Sequence, residues 1–241
     1  MERIIAKLDA HLARNDYDAA ERHLLYWLEE KRNSPAAITL WGELMGLYRK
    51  LGRHEEAITA AERALALIRR MGLEEQLTAA TTYLNTATVL HAAGKTEEGL
   101  PYFEHARALY EKHLPENDAR LGGLYNNMGL ALVALSRFDE ARALYARAIR
   151  VMEGLPDGAG EVAITLLNLA DAAREERGAE AAEEEISALI ERAWRLLDGV
   201  TARDGHYAFV CEKCASVFGF YGYFRYEREL SERARRIYEG T

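Results

Sequence analysis

Cys211-Glu212-Lys213-Cys214 has the most direct claim to chemistry in this chain, because a CxxC pair can bind a metal or cycle between thiol and disulfide. Each use has a further requirement. A redox pair draws its low thiol pKa from a helix N-terminus. If Asp204 caps the helix carrying the pair, Cys211 lies about two turns inside, beyond that field. Zinc normally takes four ligands, and there is no second cysteine pair. His206, five residues before Cys211, falls off the cysteine face of a helix. The pair is therefore expected to pack as two small residues, with metal or thiol chemistry as the alternative. Gly158-Ala159-Gly160-Glu161-Val162-Ala163 matches the loose dinucleotide fingerprint but follows a helical pattern, so the strand–turn–helix context is missing. The 7 histidines form no HExxH and the serines no GxSxG. No catalytic residue, cofactor or metal is expected, and no enzyme.

The elements that position these residues follow from composition. Ala (40) and Leu (32) dominate 241 residues, whereas Val, Ile and Thr together number 28. Residues that keep rotamer freedom in a helix outnumber strand formers, and 4 prolines leave room for long helices. The expected fold class is all-α. Charge is interleaved and sums to −8, which argues against a nucleic-acid partner. The first nine residues carry a charge every two to four positions, unlike a signal peptide's apolar region. No apolar run approaches the roughly 18 residues of a membrane span. Two cysteines are no disulfide framework, so the expected location is a reducing cytoplasm.

Trp41, Tyr83 and Tyr125 stand 42 residues apart, as do Ala64, Ala106 and Ala148. Around each aromatic runs a shared pattern: Trp41-x2-Leu44-Met45-x2-Tyr48, Tyr83-x2-Thr86-Ala87-x2-Leu90, Tyr125-x2-Met128-Gly129-x2-Leu132. Each is followed by a small–large–small triplet: Ala57, Ala61 and Ala64; Gly99, Phe103 and Ala106; Ala141, Tyr145 and Ala148. This resembles the tetratricopeptide repeat (TPR), in a long form similar to that of kinesin light chains and many bacterial TPR proteins. Weaker copies flank the three, giving approximate repeats at 1–33, 38–71, 80–113, 122–154, 163–198 and 204–239 of a single domain. The resemblance implies a right-handed α-solenoid of about six antiparallel helix pairs. Small residues would let helices approach while Trp41, Phe103, Tyr125 and Tyr145 fill the gaps. Ser34-Pro35 is expected to start a helix, Ser136-x-x-Asp139 to form a capping box, and Pro101 to sit one turn inside its helix.

The resemblance further implies a binding protein. In such solenoids the first helix of each pair lines a concave groove, and its sixth position points inward. Here those positions are Glu43, Asn85, Asn127, Asn168 and Lys213. Asn both donates and accepts, so three of them could hold an extended peptide backbone. Three hydrogen bonds at a net ~0.5–1.5 kcal/mol each fall short of the roughly −8 kcal/mol of a micromolar complex. Other anchors would have to supply the rest. The alternative is that these side chains bridge repeats or face water. The chaperone-binding clamp of some relatives is absent, since Gly42, Gly46, Leu84, Thr88, Asn126 and Leu130 occupy its positions.

Finally, 8 of 22 aromatics fall within residues 207–226. Phe209, Phe218, Phe220, Tyr221, Tyr223 and Phe224 are either a densely packed last repeat or a candidate interface for homodimerisation. The function expected is non-catalytic capture of a protein or peptide, with a self-associating scaffold as the alternative.

Overall fold

The computed structural model describes residues 1–240 and is all-α, with no strand among those residues. Its helices divide between two compact units, residues 1–114 and the segment from residue 115 onward. The first holds α1 (Glu2–Leu12), α2 (Tyr17–Lys31), α3 (Ala36–Lys50), α4 (His54–Met71), α5 (Leu77–Ala92) and α6 (Thr96–His113). The second holds α7 (Ala119–Ala134), α8 (Phe138–Glu153), α9 (Ala159–Arg177), α10 (Glu183–Asp198), α11 (Gly205–Phe220) and α12 (Phe224–Glu239). In each unit consecutive helices pair, and each pair packs on the next.

In five of the six pairs, all but α9–α10, one kind of turn keeps the helices antiparallel. Asn15, Gly52, Gly94, Ser136 and Gly222 all take positive φ there, between 54° and 82°. The residue after each donates its N–H five residues back: Asp16 to His11, Arg53 to Tyr48, Lys95 to Leu90, Arg137 to Leu132 and Tyr223 to Phe218, at 2.8–3.0 Å. This left-handed cap satisfies carbonyls that the ending helix leaves open. Gly52, Gly94 and Ser136 stand 42 residues apart, so the turn obeys the same period as the core.

Packing follows side-chain volume. Ala64, Ala87 and Ala148 are fully buried, as are Phe103 and Tyr145. A methyl added at Gly129 would stand 2.4 Å from Cε1 of Tyr145, so that ring needs the missing side chain. Arg53 ties α4 to α2, its guanidinium spanning both Glu21 carboxylate oxygens at 2.6 and 2.9 Å, and Tyr48 donates to the same carboxylate at 2.9 Å.

Three expectations need correction. Ser34 Oγ donates back to Lys31 O, at the end of α2, at 2.9 Å and does not cap α3. Ser136 is the left-handed turn residue, and α8 has no side-chain cap, because that position is already used to end α7. Trp41 fills the gap between repeats only in part: it is partly exposed, as is Tyr83 one repeat later, and Ala60 and Arg63 stand in the register where Tyr102 and His105 pack on Tyr83. Pro101 lies at the sixth position of α6, and the helix continues through it.

Candidate functional site

The first helix of each pair carries one of the five inward positions: Glu43 on α3, Asn85 on α5, Asn127 on α7, Asn168 on α9 and Lys213 on α11. In residues 1–114, Glu43 is half-buried. Burial, helped by the charge of Asp9 on α1, holds its carboxyl above the usual range. Asn85 leans toward α3 at Gly42, where a side-chain carbon would meet its amide nitrogen at 3.7 Å. That distance is ordinary van der Waals contact, so Gly42 and the Asn85 amide are neighbours without a clash.

In the second unit, Asn168 makes the same lean toward the preceding repeat and finds a partner. Its amide donates to Asn126 Oδ1 at 3.0 Å. Asn127 turns back on its own helix, donating to Gly123 O at 3.0 Å. Each of these two amides therefore keeps an accepting oxygen while committing one donor. Lys213 is exposed, with its ammonium 5.3 Å from the centre of the Phe209 ring one turn before it.

One turn beyond Asn168 lies a cluster that periodicity did not single out. Asp171 accepts from Tyr221 Oη at 2.7 Å. Burial raises the Asp171 carboxyl, and the Tyr221 hydrogen bond and Arg174 pull it back. Arg174 bonds its neighbour Glu175 and lies 5.1 Å from the centre of the Phe220 ring, yet its Nε is buried without a partner among the described residues. The Tyr145 hydroxyl is likewise buried and unpartnered, and burial followed by the charge of Asp171 pushes its pKa up. Unsatisfied buried donors of this kind each cost roughly 1–3 kcal/mol. Asn126 was within reach of the sequence, because it stands 42 residues before Asn168. Tyr221 was not, since it meets Asp171 from 50 residues away.

The other singled-out residues separate into two groups. Phe218 is fully buried between Trp194 and Tyr226, so it lies in the core and not at an interface. Tyr221 and Tyr223 are half-buried against the same core, Tyr223 reaching Ser187 Oγ at 2.9 Å. Phe209, Phe220 and Phe224 are exposed, at 47%, 66% and 65%. Cys211 and Cys214 are buried beside Phe218. Burial raises both thiols, Cys214 to about 12, which disfavours the thiolate that redox or metal chemistry would use. Asp204 caps α11 by accepting from Tyr207 N at 3.0 Å. Among the described residues no helix is long and apolar enough to cross a membrane.

Comparison with known proteins agrees with this architecture. Residues 36–112 and 120–186 match the tetratricopeptide repeat family. A clustered mitochondria protein homolog from Ajellomyces capsulatus is 29% identical over 126 residues, covering 50% of this chain and 10% of that protein. Protein KINESIN LIGHT CHAIN-RELATED 1 from Arabidopsis thaliana is 24% identical over 149 residues, covering 60% of this chain and 24% of that protein. The chain thus spans a quarter or less of the length of these relatives. Among solved structures, BtubC (BKLC) from P. vanneervenii superposes with a TM-score of 0.70 at 23% identity, covering 83% of this chain and 81% of the other. The nearly identical TPR-like repeats of a kinesin-light-chain protein from Podosopora anserina superpose at 0.58 and 18% identity, covering 84% and 95%. With repeat register, helix pairing and family match in agreement, this chain belongs to the tetratricopeptide repeat family.

Proposed function

We propose that this chain is a non-catalytic protein-binding adaptor that holds its ligand along the first helices of its pairs. Asn85 would serve in residues 1–114, and Asn127, Asn168 and Asp171 in the second unit. Glu43 and Lys213 give the first and last of these positions opposite charge. The observation that carries the reading is the polar line on α9. Asn168 and Asp171 share one helix face, both are partly exposed, and Asn168 keeps an accepting oxygen that a ligand would satisfy. Membership of a repeat family whose fold suggests protein–protein interaction supports the same class of function.

The test is an affinity capture from the native host's lysate read by mass spectrometry, with wild type beside the triple Asn85→Ala, Asn127→Ala, Asn168→Ala variant. Both must first show the same helicity and melting temperature. A partner held by wild type and lost by the variant supports the reading. A partner held equally by both sinks it.

A second reading is favoured by the exposed Phe209, Phe220 and Phe224, which would serve a self-associating scaffold. Sedimentation equilibrium of wild type and Phe220→Ser, Phe224→Ser would report a dimer that the variant abolishes. A concentration-independent monomer in both excludes it.

A further inference from the structure

A cleft of about 410 Å³ opens between α2 and α4 on residues 1–114, floored by Trp41 of α3. It is not the face described above. Trp41 and Glu43 are two positions apart on α3, about 200° around the helix, so they point to opposite sides. The apolar walls are Leu25, Leu28 and Leu67, and Leu25 is 43% exposed beside an exposed Tyr26. A partly exposed tryptophan at the bottom of an apolar cleft is the kind of surface that carries binding energy.

The repeat differs in what meets this aromatic position. One repeat later the rings of Tyr102 and His105 pack, tilted, against Tyr83, at 6.2 and 5.6 Å between centres. Their 42-residue counterparts in α4 are Ala60 and Arg63, which bring no ring to Trp41.

The rim is cationic in a chain of net charge −8. Arg63 and Arg70 both line the cleft from α4, seven residues and so about 10 Å apart along the axis. Arg63 has no ion-pair partner among the described residues. Arg70 makes only long contacts, of 3.4 and 3.5 Å, to Asn33 Oδ1 and Arg32 O. The acidic group on the rim, Glu29, is already paired with Arg32 at 3.1 Å.

We propose that this cleft is a second docking site, which takes an acidic peptide segment whose apolar side chain seats on Trp41 between two carboxylates that meet Arg63 and Arg70. The occupant is fixed by complementarity: an apolar anchor for the floor, and negative charge at roughly 10 Å spacing for the two guanidiniums.

The experiment is selection of a displayed library of random 12-residue peptides on the full chain, followed by fluorescence anisotropy with the labelled winners. Selected peptides are expected to be rich in Asp or Glu together with Leu, Phe or Trp. Their affinity should fall at least tenfold in Arg63→Glu, Arg70→Glu, and severalfold when salt rises from about 50 to 300 mM. The Arg side chains are exposed, so this variant should fold. Ala66→Trp, which fills the cleft from an exposed position on its wall, should abolish binding independently of charge. The proposal is overturned if the winners lack acidic residues or an apolar anchor. It also fails if they bind both variants like wild type, or are lost only in Asn85→Ala, Asn127→Ala, Asn168→Ala. A dimer that Ala66→Trp converts to monomer would overturn it too, by making a second copy the occupant.

Discussion

At the residue scale, the polar side chains of α9 are held away from their ordinary states, and pH makes this measurable. The Asp171 carboxyl is raised chiefly by burial, so the folded chain binds that proton more tightly than the unfolded chain does. Its charge therefore costs stability above the folded pKa, and the cost disappears as pH falls through it. Asp171→Asn keeps an acceptor for Tyr221 and should melt higher than wild type at about pH 7.5, the gap closing toward pH 4 in a thermal series. Glu21 has the opposite sign, because its hydrogen bond to Arg53 lowers its pKa against the counteracting effect of burial. Its contribution is present above the unfolded carboxylate pKa and lost as pH falls. Glu21→Gln should cost about 1 kcal/mol near neutrality, discounted for partial exposure, and progressively less below pH 4. Calorimetry on both variants checks the two signs together. Asp171 was not legible in the sequence as a site. Its partner Tyr221 comes from the far end of α11, and nothing periodic links the two.

At the scale of the element, the repeat is specified by volume and turn conformation. Gly129→Ala places a carbon within 2.4 Å of the Tyr145 ring and should destabilise by about 2 kcal/mol in urea unfolding. Gly46 has open space around its added carbon and is exposed on α3, so Gly46→Ala should instead stabilise by roughly 0.5–1 kcal/mol. Equal effects at the two positions would contradict the steric account. The turns give a second pair. Ser136→Gly relieves a left-handed residue that has a side chain and should gain about 1 kcal/mol, while Gly94→Ala should lose a similar amount. The helix pairs were legible because Trp41, Tyr83 and Tyr125 mark one position and Ala64, Ala106 and Ala148 another. The turn at Ser136 was not, because Ser followed by Asp three residues on has the form of a capping box. The register of Gly52 and Gly94 would have corrected that reading. Trp41 shows the limit of reading one position alone: what meets its ring depends on Ala60 and Arg63 across the pair.

At the scale of the whole molecule, the chain is an array of helix pairs that offers faces. Its first helices present Asn and Asp, its second helices in residues 1–114 flank a cationic apolar cleft, and α11 and α12 leave three phenylalanines exposed. The family was legible from the 42-residue register, whereas the working face was not, because an Asn that bridges repeats and an Asn that holds a ligand have the same sequence signature. Asn168 does the first with one donor and keeps an oxygen for the second. The most direct test of the adaptor account is site-specific photo-crosslinking in host lysate. Benzoylphenylalanine would be placed singly at Asn85, Asn127 or Lys213, and at Phe224 and Glu104 for comparison. The account predicts one and the same foreign protein crosslinked from the first three positions and not from Glu104. Crosslinks that arise only from Phe224, and to a second copy of this chain, would contradict it and make self-assembly the function.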